Sequence, residues 1–529
     1  MYSTASYQEP FWAKSAKYVR GRDPLGVQNS SISVYAVLLP GMTNLTLRLR
    51  YYGFYLWLLD EYDKLPSDSF FKSSTTNHYN FIRRGELIIA YLMTTKAPQE
   101  QSIIGSDYAN RKKNEIIELG YYDLALGADK LSTTKKGSVY WDYTSGALGQ
   151  YYAGSLLNLG LIDAKQRYFE RTQNKGAELA QAFRESLNPE AERLFLQRIL
   201  EGKLYSEDLD RLMAFAINKP LQGTAEGDFY EKLLLAPDQP DEELNTIKPP
   251  EQRKETLNLF LSYLNSEDED LDYTELPYSL YKKQLLSGKF SEAQFGWYYY
   301  YLNEQVHYSL EAVFWGLLEL MKSKTYSVQE FLGYVTFNTV AHEQLSHFSS
   351  QDKLSDVIVK LGEMESSVDD HIDSIPKAVK GSGEFSAITH GIIALLGLYL
   401  ENEKNLLEVD QYARRYDLRT KYGNALEVFE TYVIKSKQLT LYEFVSRLVH
   451  TLLNEHIAIA YNKMGNGEKN LLKFIIEDNL LIHIETMEPN FTNPRLRTLY
   501  NFSVDLGYLD KEGNLTEEGK SILNQTSIG

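Results

Sequence analysis

The stretch SGALGQYYAGSLLNLGLIDAKQRYFERTQNKGAEL (Ser145–Leu179) decides how the chain is read. Its first half is apolar and rich in small residues, a helix that Gly160 ends as a C′ cap. Leu161-Ile162-Asp163 is a short strand, followed by a polar turn. Arg167, Phe169 and Arg171 then alternate with Tyr168 and Glu170, the period of two of a second strand, and a new helix begins near Thr172. Helix, strand, turn, strand, helix is the order of a winged helix. In DNA-binding winged helices a recognition helix enters the major groove and a basic wing meets phosphates. Here helix 145–159 carries no Arg or Lys, only Gln150 and Asn158 to reach base edges. The wing carries Arg167 and Arg171, with Lys175 just beyond. For this module DNA contact and protein contact weigh equally.

The same grammar returns in PRLRTLYNFSVDLGYLDKEGNLTEEG (Pro494–Gly519). A helix closes at Gly507, a tight turn spans Lys511–Asn514, and a last short helix follows Thr516. Arg495 and Arg497 lie on its first helix and tip the reading toward DNA, against an acidic turn. The two phrases align imperfectly: Thr-to-Gly spacing differs by one and the second wing is much shorter.

Outward from these modules the pattern is helical. Ser33–Leu39 is a short helix stopped by Pro40-Gly41, and Thr43 or Asn44 caps a helix running to about Asp63. Arg48 and Arg50 fall in its first turns, where a cation opposes the helix dipole, so both are expected to have partners. Thr440, with Glu443 three residues on, opens the clearest amphipathic helix, 439–464. No parallel βαβ series is visible, which argues against a Rossmann-type core. The expected architecture is mainly α, a multi-domain helical bundle with two winged-helix-like modules. Its segments are an N-terminal helical domain (1–135), the first module (136–190) and a helical region with an acidic, proline-rich linker at 237–272 (191–290). A central helical domain (291–435) and a C-terminal helix with the second module (436–529) complete it.

Composition bounds the function. The chain has 529 residues, 55 basic and 72 acidic, and a formal charge of −17. That average excludes a protein coating nucleic acid or an anionic membrane with its whole surface, while leaving room for local basic faces. The absence of cysteine removes disulfides, thiolate nucleophiles and Cys-ligated zinc. The longest apolar run, Ile388–Leu400, is interrupted by His390 and falls short of the roughly 20 residues a bilayer requires. No signal peptide is visible, so the expected setting is cytoplasmic. Tyrosine is over-represented, with 40 residues, and its half-apolar ring suits seams between helices.

Reactive motifs do not stand out. His342-Glu343-Gln344-Leu345-Ser346-His347 resembles a zinc motif, but its histidines are five apart rather than four and leave a common helix face. Asp369, Asp370, His371 and Asp373 could serve a metal-dependent nuclease or phosphohydrolase only with carboxylates converging from separate helices. A wet helix start is the plainer reading. His450 and His456 are off-register for shared ligation. No nucleophile elbow and no phosphate loop is present. No metal, cofactor or catalytic residue is assigned.

RGRDPLG (Arg20–Gly26), LLPGMTNLTLRLRYYGFYLWLLDEY (Leu38–Tyr62), the LGLID step and PRLRTLYNFSVDLGYL (Pro494–Leu509) resemble a set of long bacterial proteins with no established activity, found near anti-phage defence and mobile-element genes. The resemblance implies a bacterial, multi-protein system in which neighbours encode ATPases or nucleases. The expectation is a non-enzymatic adaptor or nucleic-acid-sensing accessory subunit of a defence complex. Arg48 and Arg50 would pair with a partner, Tyr51, Tyr52 and Trp57 would anchor it, and no membrane is involved. Its rivals are the metal-dependent hydrolase and a kleisin-like partner of an SMC-type ATPase.

Overall fold

The helix Glu292–Ser323 is apolar on nearly every side, so it must be wrapped by other helices rather than laid on a surface. Its Tyr298–Tyr301 run is absorbed in this wrapping. The Tyr298 hydroxyl donates to Asn402 Oδ1 at 2.5 Å, Tyr299 bonds Ser30 at 2.7 Å, and Tyr301 packs on Tyr281. The tyrosines thus seal helix seams and satisfy their hydroxyls. A computed structural model describes residues 23–131, 133–165, 168–235, 251–266, 272–287, 291–418, 424–465 and 471–526.

The fold is mainly helical. It comprises two compact units, each discontinuous in sequence: residues 1–35 with 277–492, and 36–276 with 493–529. These units do not follow the consecutive segments expected from sequence. In the first, Glu292–Ser323 packs against Glu384–Asn402 and the amphipathic helix Leu441–Gly465, which begins at the predicted Thr440–Glu443 capping box. Of the linker expected at 237–272, residues 237–250 and 267–271 lie outside the described residues, and Glu251–Leu264 is a helix. Among the described residues the strands form three small antiparallel sheets, and no parallel pair occurs.

In the second unit the first predicted module has its two strands paired, whereas the second joins its two helices through a single bridge in place of a strand pair. The first runs from a helix ending at Asn158 through Ile162–Ala164 paired with Phe169–Arg171 to Lys175–Glu185. The second runs from Leu496–Asp505 through a bridge between Leu509 and Leu515 to Glu517–Thr526. Gly160 and Gly507 stand at φ +67° and +78°, a left-handed backbone that glycine adopts without cost. Each glycine N–H bonds three residues back, and the next N–H five back, closing the same cap.

Two helix starts differ from expectation. The helix after Pro40-Gly41 begins at Arg50, because Thr43 and Thr46 bond each other in a turn and the Asn44 amide donates to the Asn493 carbonyl instead of capping. The first module's opening helix is not α throughout: Leu148–Tyr152 is a π turn. The N–H groups of Ala147 and Leu148 donate to the buried Glu86 carboxylate, which also accepts the Tyr55 and Tyr140 hydroxyls.

Candidate functional site

Both hairpin modules are closed by one device. The Thr172 hydroxyl donates to the Gly160 carbonyl at 3.0 Å and accepts the Gly176 N–H at 2.8 Å. In the second module Thr516 does the same, to the Gly507 carbonyl at 2.6 Å and from Gly519 N–H at 3.1 Å. A Cβ at Gly176 would lie 2.3 Å from the Leu161 carbonyl oxygen, and one at Gly519 would lie 2.3 Å from that of Tyr508. Each second helix therefore rests directly on the backbone of the residue that follows the capping glycine.

One helix carries both modules. Tyr52, on Arg50–Asp63, has its ring 5.4 Å from Tyr152 of the first module and 5.9 Å from Phe502 of the second, and its hydroxyl bonds Ser155 at 2.7 Å. Tyr51 accepts the Ile104 N–H at 3.0 Å, and Trp57 donates to Glu192 at 2.7 Å. Tyr51, Tyr52 and Trp57 are fully buried, so the aromatic anchors expected for a partner are instead the pillar of this unit. Arg50 is buried as well. Its guanidinium pairs with Glu226 at 3.3 Å, donates to the Ala214 carbonyl at 2.9 Å and Ser186 Oγ at 2.7 Å, and also to the Ala216 carbonyl. Arg48 pairs with Glu100 at 3.2 Å and Asp505 at 3.5 Å. The partners expected for both arginines are thus internal.

The expected nucleic-acid residues fall into different settings. Arg167 lies outside the described residues. Arg171 is bound to Asp60 at 2.6 Å, and Arg184 shares that carboxylate. Burial raises the Asp60 carboxyl, but Lys64, Arg184 and Arg171 outweigh it and hold it at about 2. Lys175 is half-buried at the start of its helix. Arg495 adopts φ +67° and donates to the Leu39 carbonyl at 3.1 Å. Arg497 is exposed.

In the first unit, Asp369 accepts the Tyr278 hydroxyl at 2.9 Å and pairs with Lys282 at 2.8 Å. Asp370 closes a capping box with Ser367, and Asp373 is exposed. His371 meets His390, Nδ1 to Nδ1, at 2.9 Å. His342 ends a helix, so it and His347 do not share one. Among the described residues no three histidine, aspartate or glutamate side chains group so as to hold a metal ion.

Sequence reasoning passed over a buried ionisable cluster of the first unit. Glu304, His307 and Glu311 lie on Glu292–Ser323 and are all buried. His307 Nε2 is 2.9 Å from Glu311 Oε1 and from the Gln28 amide nitrogen, and Nδ1 is 4.0 Å from Glu304 Oε1. Burial alone would lower the imidazole, but Glu311, Glu304 and Asp23 together lift it to about 9, so it is a cation at neutral pH. The second carboxylate oxygens of Glu304 and Glu311 accept the N–H groups of Thr492 (2.6 Å) and Asn490 (3.2 Å). Opposite lies the Asp23-Pro24-Leu25-Gly26 turn, folded on the Asp23 carboxylate by the N–H groups of Leu25, Val27 and Gln28. Lys463 donates to the Asp23 carbonyl, and His456 Nδ1 lies 3.1 Å from that of Pro24. Arg20 and Arg22 of the same motif lie outside the described residues. The signal for this cluster was three ionisable residues on a helix too apolar to leave them a wet face.

No family model matches the sequence, and comparison with the curated proteins and with the solved structures finds no match.

Proposed function

We propose that the chain is a non-enzymatic adaptor or nucleic-acid-sensing accessory subunit of a bacterial, cytoplasmic anti-phage defence complex, docking an ATPase or nuclease encoded beside it. A kleisin-like partner of an SMC-type ATPase is one form this takes. The observation that carries the reading is the mounting of two Thr- and Gly-locked hairpin modules on the single helix Arg50–Asp63. Read as winged helices, two modules fixed to one pillar would present two recognition surfaces at a set spacing, which suits a scaffold. No described helix is long and apolar enough to cross a membrane.

With the aromatic pillar buried, the docking surface has to be sought elsewhere in the second unit. Ile117 (81% exposed), Leu119, Leu126 (66%) and Leu131 leave apolar side chains in water within one short stretch, the composition of a contact surface. Purification of the tagged full chain from its native host, wild type beside Ile117→Asp/Leu126→Asp, tests the proposal. A co-purifying ATPase or nuclease that the double variant loses is the expected result. A chain that emerges alone in both cases refutes it.

A further inference from the structure

Two imidazoles from adjacent helices converge in the first unit. His371 lies in the first turn of Val368–Lys380 and His390 in the second turn of Glu384–Asn402. Their Nδ1 atoms are 2.9 Å apart, with ring centroids at 5.2 Å and planes crossing at 46°. His371 is 4% exposed, whereas His390 is half-buried and gives the pair its way to solvent.

Two facing ring nitrogens hold one proton between them, so one ring offers an N–H and the other a lone pair. His371 Nε2 lies 3.3 Å from Ser366 Oγ. With its proton held there, His371 turns the Nδ1 lone pair toward His390. Moving the His390 proton from Nδ1 to Nε2 then brings a second lone pair to the same point. Both rings are neutral at pH 7: burial lowers His371, and burial together with His371 and His342 lowers His390 to about 4. Of the charged groups that act on the pair, Asp370 and Glu343 favour an added cation and Lys377 opposes it.

Neutral imidazoles suit late first-row divalent ions, and an acceptor behind the ligating ring is the usual means of fixing its tautomer. Metal–nitrogen bonds of about 2.05 Å would span the 2.9 Å gap at an angle of about 90°, the cis angle of octahedral and square-planar sites. Widening the gap by about 0.4 Å gives the tetrahedral angle that zinc prefers. We propose that His371 and His390 form a two-histidine seat for a divalent ion of the nickel, copper and zinc class, stapling the two helices together. Among the described residues no third side chain completes the site, so water takes the remaining positions. The seat is independent of the docking role proposed above.

Calorimetric titration of the untagged full chain with Ni²⁺ and, separately, Zn²⁺ tests the proposal, beside thermal melting with and without the ion. One ion per chain and a melting temperature raised by the metal are expected. His390→Ala, at a half-buried position, is expected to stay folded and to lose both the binding heat and the shift in melting; His371→Ala is expected to lose them too. Ser366→Ala is expected to bind about tenfold more weakly. His347→Ala/His450→Ala removes two exposed histidines outside the pair and is expected to leave the titration unchanged. Absence of saturable binding in the wild type overturns the inference, as does a wild-type titration in folded His390→Ala; the pair is then a hydrogen bond and nothing more. Loss of binding in the His347/His450 variant places the ion elsewhere and overturns it as well.

Discussion

His307 offers the sharpest physical test, because its charge is set entirely by what the fold places around it. In the unfolded chain its imidazole titrates near 6.5, and in the folded chain near 9. A basic group raised on folding stabilises the native state most below its unfolded pKa, and that stability is lost as pH rises through the folded value. A difference of about 2.5 pH units at 1.36 kcal/mol each is about 3 kcal/mol, fully present below about pH 6 and gone by about pH 10. The perturbation is His307→Gln, which keeps a donor for Glu311 but does not titrate. Urea unfolding of both proteins from pH 6 to 10 is the assay, with hydrogen exchange of peptides from Glu292–Ser323 locating the change. The wild type should lose more stability than the variant across this range, and protection in that helix should fall with it. Glu311→Gln removes the nearest carboxylate, 2.9 Å from Nε2, and should move the loss to lower pH. Parallel pH profiles for wild type and His307→Gln would refute the claim that this imidazole is held charged.

Three further outcomes follow from the second unit. Gly519→Ala and Gly176→Ala each push a methyl to 2.3 Å from a backbone oxygen, and each should cost about 1–3 kcal/mol in thermal melting, with faster proteolysis of the module concerned. Arg50→Met strands the buried Glu226 carboxylate, which burial already raises above its ordinary value, and should cost about 3–5 kcal/mol in denaturant unfolding. Adding Glu226→Gln should restore much of that loss; no recovery would mean that the carbonyl bonds of Arg50, not the ion pair, dominate. Thr516→Val removes one donor and one acceptor from the second module's lock, with an expected cost of about 1–2 kcal/mol in the same melt.

What could be read from the sequence divides by the range of the interactions involved. Gly160 and Gly507 announce their caps because a left-handed residue, the carbonyls it closes and the threonine that follows all lie within a dozen or so positions. The Thr440 capping box was legible for the same reason, spanning only three residues. Arg50 was not, since its partners Ser186, Ala214, Ala216 and Glu226 lie 136 to 176 residues away. A cation in a first helical turn told only that some partner exists; placing it outside the chain was a choice that local sequence could not check. Tyr52 failed in the same way, because an aromatic side chain reads alike whether it faces a partner or the next helix. His307 was lost for a different reason. Its neighbours in sequence, Glu304 and Glu311, look like an ordinary solvated helix face until the helix is seen to be apolar all round. The charge on this chain is therefore of two kinds: buried pairs such as Arg50–Glu226 and His307–Glu311 fix each unit internally, where only long-range packing reveals them, and cations such as Arg111, Lys135, Lys136 and Arg497 stay exposed, as local sequence leads one to expect of any charge.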